Sequence, residues 1–223
     1  MVVGVETSGG TGSVALLRGE SVLGEETLGE GTTHGVALHP ALERLLKSAG
    51  LAAKEIGLVV AGTGPGSFTG MRVGVGTARS LAFAAGCPVI GVPTFDALAA
   101  GAPADAAHVA VVRDARKGEV YFALYGRAGR VVAPCRRPVA DAAAALPEGC
   151  LVLGEFRGSL VAAAKARGVR AGSPEDSVAR ASVVARLGLA AFLEGGAPDP
   201  ATVLPLYLQE PLAVRKGEGV RGR

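Results

Sequence analysis

The chain has 223 residues, 49% hydrophobic and 19% charged, with a mean hydropathy of +0.37, which excludes a disordered chain or a coiled coil, since both carry far more charge. Its net charge of +3 sits entirely beyond Ala213, where Arg215, Lys216, Arg221 and Arg223 face only Glu218; the rest is neutral, has no Trp, and offers no base-stacking platform. No stretch approaches the roughly 18 apolar residues of a membrane span, and Met1 leads straight into a strand-like segment, so a cytoplasmic protein with no membrane partner is expected.

Three strands are predicted first, Val2–Glu6, Ser13–Leu17 and Val22–Leu28, joined by the Gly-rich Thr7–Gly12 and by Arg18–Glu20. From Leu38 the apolar spacing becomes helical, with Leu38, Leu42, Leu45, Leu46 and Ala49 on one face and Gly50 as the stop. A strand over Leu58–Ala61 enters the loop Gly62–Gly70. A helix over Arg72–Ala85, a strand over Val89–Val92 and a helix over Thr94–Ala100 follow, and Gly101–Asp105 reads as a linker.

The plan then restarts. His108–Arg113 is a strand closing on Asp114, as the first closes on Glu6, and Glu119–Tyr125, Gly126–Gly129 and Val131–Val132 come next. Leu151–Ser159 repeats the strand, glycine loop and helix start of Leu58–Ser67, and the helix Val178–Leu193 stops at Gly195–Ala197. Repeated β-β-β-α-β-α units imply two similar α/β lobes, each a mixed sheet with flanking helices, facing each other across a cleft. The expected boundaries are 1–103 and 104–212, with the last helix packing back on the first lobe and 213–223 a basic tail.

Most familiar chemistry is excluded. Gly62–Gly70 lacks the P-loop lysine, the third Rossmann glycine, and the G-x-S-x-G elbow of a serine nucleophile. His34 and His39 would diverge by about 140° on a helix, and His108 stands alone, so no metal site is assigned. Cys87, Cys135 and Cys150 show no C-x-x-C spacing and read as small buried hydrophobes. Glu6 and Asp114 end corresponding strands; they either hold a hydrated magnesium beside nucleotide phosphates or cap their own turns. With Ser8, Gly64, Gly66, Ser67 and Thr69 they are the candidate phosphate contacts of an alternative reading, an ATP-dependent phosphotransferase or hydrolase.

Every fourth position from Gly70 gives Gly74, Ala78 and Ala82, a helix face with no large side chain. Gly74 and Gly76 each cost about 1 kcal/mol relative to alanine, which close approach of a neighbour must offset. That neighbour is either the chain's own sheet or a second chain. The second option makes Leu38, Leu42, Leu45, Gly70, Arg72, Gly74, Ala78, Arg79 and Ala82 a partner interface.

The run Gly-x-Gly-Pro-Gly-Ser-Phe-Thr-Gly-x-Arg at 62–72 resembles the signature of the TsaB (YeaZ) family, and Val89–Ala99, Asp114–Tyr121 and Pro205–Leu208 are similar to further segments of it. The resemblance implies an actin-like, ribonuclease-H-like (ASKHA) fold with no catalytic residue. It implies a partner of TsaD, homodimeric when alone, that works with the ATPase TsaE in threonylcarbamoyl transfer to the adenosine beside the anticodon of tRNA, which binds through the complex. No cofactor is expected to bind tightly to the chain alone; ATP or ADP and magnesium would belong to the complex. The chain departs from the family pattern at Glu6, where many members carry Asp, in His34–Pro40, which lacks a common acid, and at Gln209, which replaces the usual Arg.

Overall fold

The computed structural model describes residues 1–29, 34–164 and 167–208; Gln209 and the tail 213–223 lie outside them. In the first sheet Val2–Glu6 (β1) pairs antiparallel with Gly12–Arg18 (β2), which pairs antiparallel with Ser21–Leu28 (β3). On its other side β1 runs parallel to Leu58–Gly62 (β4), and β4 parallel to Val89–Val92 (β5), giving the order β3-β2-β1-β4-β5. Helices His34–Ser48 (α1), Phe68–Ala85 (α2) and Thr94–Ala100 (α3) follow β3, β4 and β5.

The second sheet repeats this plan with His108–Arg116 (β6), Glu119–Gly126 (β7), Gly129–Pro138 (β8), Leu151–Leu153 (β9) and Arg170–Ala171 (β10), in the order β10-β9-β6-β7-β8. Helices Val139–Ala144 (α4), Arg157–Ala163 (α5) and Ala181–Gly195 (α6) follow β8, β9 and β10. Strand for strand, β6 to β10 take the places of β1 to β5, so the duplication expected from the sequence is present in the topology.

Both central strands are buried on two faces and therefore read as unbroken apolar runs rather than alternating ones. Val3, Val5, Val14 and Leu16 meet α1 and α2, while Val2, Ala15, Leu17 and Val60 meet Ala181, Val184 and Ala185 of α6. The lobes exchange their last helices. α6 ends the second repeat but covers the first sheet, and α3 ends the first repeat but sets Phe95 and Leu98 against Val109, Val111 and Leu153 of the second. The other face of the second sheet lies under α4 and α5. Each lobe thus buries a face only with the help of the other.

Small residues let α6 lie close. A β-carbon on Gly4 would stand 2.2 Å from the Ala181 carbonyl oxygen, and one on Gly188 2.3 Å from a Val60 methyl.

The small face of α2 also turns inward. Gly70, Gly74, Ala78 and Ala82 are buried, as are Leu38, Leu42 and Leu45 of α1, so the expectation that they meet a second chain is corrected: their neighbour is the chain's own first sheet and its β1–β2 turn. A β-carbon on Gly70 would come 2.0 Å from the Thr7 carbonyl oxygen, and one on Gly74 2.2 Å from the Thr7 hydroxyl. Of the expected interface residues, Arg72 is exposed and Arg79 half-buried. Gly76, by contrast, faces open space, so nothing inside the chain offsets its helix cost.

Two alanine substitutions should therefore shift stability in opposite directions. Gly76→Ala is expected to stabilise by about 0.5–1 kcal/mol, whereas Gly4→Ala should cost about 1–3 kcal/mol because α6 must move off the sheet. Urea unfolding of each variant measures both.

Candidate functional site

A cleft of about 660 Å³ opens between the β1–β2 turn, the start of α2 and the β6–β7 end of the second sheet, with Gly9, Gly10, Ser67, Arg113, Asp114 and Arg116 among its lining residues. Beside it Glu6 ends β1, fully buried. Its Oε1 accepts from the Ser8 N–H at 2.6 Å and its Oε2 from the Thr94 hydroxyl at 2.8 Å. Thr94 Oγ1 in turn accepts from the Gly64 N–H and the Ser8 hydroxyl, both at 3.0 Å. The glutamate arm fits because residue 62 is glycine: a β-carbon there would lie 1.9 Å from Oε2.

Arg113, from β6, is only 4% exposed and reaches into the first lobe. One terminal nitrogen donates to the Ser8 carbonyl at 2.9 Å, the Ser8 hydroxyl at 3.0 Å and the Pro65 carbonyl at 2.9 Å. Glu155, which follows β9, accepts from the Gly10 N–H at 3.3 Å and stands 4.0 Å from Arg113 Nε. The lobes are therefore tied across the cleft by the Arg113 guanidinium. A second tie joins α3 to β7 and β8: the Tyr125 hydroxyl donates to Asp96 Oδ1 at 2.7 Å, and Arg130 pairs with the same carboxylate. Burial, reinforced by Asp96, holds the Tyr125 hydroxyl far above its usual range, so it remains a donor.

The candidate phosphate contacts do not converge on a ligand position. Glu6 and Ser8 are sealed from solvent and bonded to their own chain. Gly64 is held by Thr94 through both its N–H and its carbonyl, and Gly66 lies so near Arg113 that a β-carbon would come 2.3 Å from the guanidinium. Ser67 caps α2 by accepting from the Gly70 N–H, while Thr69 is exposed. Asp114 is exposed and bends back to accept from the Arg116 N–H at 2.7 Å. Of the two alternatives for Glu6 and Asp114, turn capping is the one found. Glu6 is sealed from the cleft, whereas Asp114 is exposed at its lining.

His34 Nε2 lies 3.0 Å from the Gly9 carbonyl oxygen and His39 is exposed, so the two rings diverge. Among the described residues no group of three or more His, Cys, Asp or Glu side chains is placed to hold a metal. Only Cys150 is fully buried, its thiol pushed up to about 11 by burial; Cys87 and Cys135 are half-buried. Sequence reasoning missed Arg113, Thr94 and Glu155. For Arg113 a signal existed: an arginine closing an apolar strand is rarely buried unless it is paired. Thr94 and Glu155 carried none.

Glu6 and Gly62 should be energetically coupled. Gly62→Ala is expected to cost at least about 2 kcal/mol beside Glu6, and at least about 1 kcal/mol less beside Glu6→Asp, whose carboxyl is drawn back from residue 62. A double-mutant cycle on unfolding free energies measures the difference.

A family model described as "TsaD: tRNA N6-adenosine threonylcarbamoyltransferase" matches residues 30–162. The Bacillus subtilis "tRNA threonylcarbamoyladenosine biosynthesis protein TsaB" is 34% identical over 124 residues, 56% of this chain and 54% of that protein, so the match spans about half of that relative. An uncharacterised Mycobacterium tuberculosis protein is 33% identical over 196 residues, 85% of this chain and 82% of its own length. The solved structure of YeaZ from Pseudomonas aeruginosa has a TM-score of 0.76 at 28% identity, covering 93% of this chain and 99% of that one. This likeness and the repeated strand order give the chain a two-lobed actin-like α/β fold, and it belongs to the TsaB (YeaZ) family.

Proposed function

We propose that this chain is the non-catalytic partner of a TsaD protein in threonylcarbamoyl transfer to the adenosine beside the tRNA anticodon, forming a homodimer when TsaD is absent. The observation that carries this reading is the outer face of α2. Phe83 is 91% exposed there and shares a helical stripe with Arg72, Gly76 and Arg79; Val36 of the adjoining α1 is 70% exposed. A bare phenylalanine and a glycine with nothing above it weaken an isolated helix, and a foreign helix laid across them offsets both. The docking face is thus opposite the small-residue face that the sequence suggested. Arg72 is held ready for that contact, its guanidinium 3.9 Å above the Phe68 ring and its Nε–H donating to the Tyr207 hydroxyl at 2.9 Å.

The cleft supports a role without bond-making, since Glu6 is sealed and the Arg113 and Glu155 side chains span the space where a substrate would sit. Lobes 1–103 and 104–212 act as one body that orients the partner, and the binding free energy biases a conformational equilibrium in TsaD. TsaE and tRNA dock on the assembled pair, which is also where ATP or ADP with magnesium belongs, in the cytoplasm. No helix among the described residues is long and apolar enough to cross a membrane.

Phe83→Glu should leave unfolding stability within about 0.5 kcal/mol while weakening co-elution with TsaD by about 30-fold or more. Gly76→Leu, which fills the same face from its centre, should weaken co-elution to a similar degree while stabilising the helix by about 0.5–1 kcal/mol. Unchanged association in both variants would reject the interface.

A further inference from the structure

We propose that the chain's own segment Glu210–Val214 docks on the outer stripe of α2 and competes there with the partner protein. The competition rests on the reading of that face as the partner's; the docking itself does not. Three observations point to this occupant.

The first is where the described chain ends. Val203 packs in the core of the first lobe, and the Leu206 N–H donates to the Thr63 carbonyl at 2.8 Å, which carries the chain past the end of β4 to the start of α2. There the Tyr207 ring stands 5.0 Å from that of Phe68, and its hydroxyl accepts from the Arg72 Nε–H at 2.9 Å. Phe68, Arg72, Arg79 and Phe83 share one side of α2, since the last three lie within about 60° of the first around the helix. The chain is thus brought onto the first turn of the stripe that ends in the exposed Phe83.

The second is length. From Arg72 the helix rises about 10 Å to Arg79 and about 16 Å to Phe83. An extended chain advances roughly 3.3 Å per residue, so a segment leaving Tyr207 along α2 brings Glu210 level with Arg79 and Leu212 level with Phe83. Pro211 suits such a path, because the residue before a proline is biased away from the helical region.

The third is chemical order. The segment reads Glu-Pro-Leu-Ala-Val, an acid and then apolar residues. The stripe presents Arg72 and Arg79 and then Phe83, and neither arginine has an ion-pair partner among the described residues. Run in the same direction, the two sequences match acid to cation and leucine to phenylalanine. A tethered contact also needs little affinity of its own. The short link to Tyr207 sets a local concentration on the order of millimolar, so a contact about ten times tighter than that lowers the partner's apparent affinity about tenfold.

The test uses the full chain carrying Phe83→Trp, its only tryptophan, at a concentration where sedimentation shows a monomer. It is compared with the same chain bearing Leu212→Asp and Val214→Asp, and with one bearing Glu210→Lys, which sets a cation against Arg79. Both changes should red-shift the tryptophan emission and raise iodide quenching about twofold, as expected when a segment at least half docked is released. Equal emission and quenching in all three chains overturns the docking. With Phe83 restored, Leu212→Asp and Val214→Asp together should tighten association with TsaD about three- to tenfold. Unchanged affinity for TsaD overturns the competition. Failure of every chain to bind TsaD sinks the partner reading instead, and the fluorescence still decides the docking.

Discussion

The close approach of residues 62–74 to the Glu6–Thr7–Ser8 turn governs the first lobe and, through it, the cleft. Glycines at 62, 66, 70 and 74 face that turn in succession: β-carbons on them would stand 1.9 Å from Glu6 Oε2, 2.2 Å from the Ser8 carbonyl oxygen, 2.0 Å from the Thr7 carbonyl oxygen and 2.2 Å from the Thr7 hydroxyl. Without side chains at these positions the turn settles onto the loop and onto α2. The Thr7 hydroxyl then donates to the Gly70 carbonyl at 2.7 Å, and the Ser67 N–H donates to the Ser8 carbonyl at 2.8 Å. The same Ser8 carbonyl receives Arg113 from the other lobe. One turn therefore closes the first lobe, buries Glu6 and anchors the second lobe.

That arrangement fits the proposed role of the chain as a docking surface rather than a catalytic cleft. The cleft is spanned by its own side chains, and the exchange of α3 and α6 makes each sheet depend on the other lobe for part of its core. On the outer side of α2, Phe83 and Gly76 face solvent. The inner glycines of α2 are matched by Thr7, and the outer one has no match within the chain. That asymmetry separates the structural glycines from the one proposed to receive a partner.

Much of the fold was legible. Val2–Glu6 and His108–Arg113 are both short apolar runs ended by an acid, and β5 and α3 have the bounds read from the sequence. The misses have physical causes. α1 starts a turn early, at His34, and carries Pro40 in its interior at an exposed position. β10 has two residues and α4 six, too few to show a period. Nothing local tells a helix which of two equivalent sheets it will cover, so the exchange of α3 and α6 could not be read in full.

The candidate site was less legible for a related reason. Spacing shows that Gly70, Gly74, Ala78 and Ala82 need a close neighbour but not whose it is, and the chain's own sheet and a foreign helix make the same demand. Glu6 ends β1 as expected, whereas β6 runs two residues past Asp114, through a bulge, to Arg116. Each of the two acids caps a backbone N–H two residues on, at Ser8 and Arg116; the bond from the Thr94 hydroxyl that completes the burial of Glu6 appears only when distant segments meet.

The most direct test is the rate of threonylcarbamoyladenosine formation on tRNA by TsaD and TsaE supplied with this chain bearing either Asp114→Asn or Phe83→Glu. The account predicts the wild-type rate with Asp114→Asn and loss of the product with Phe83→Glu. Loss of product with Asp114→Asn, and retention of it with Phe83→Glu, would contradict the claim that this chain contributes a docking face rather than chemistry.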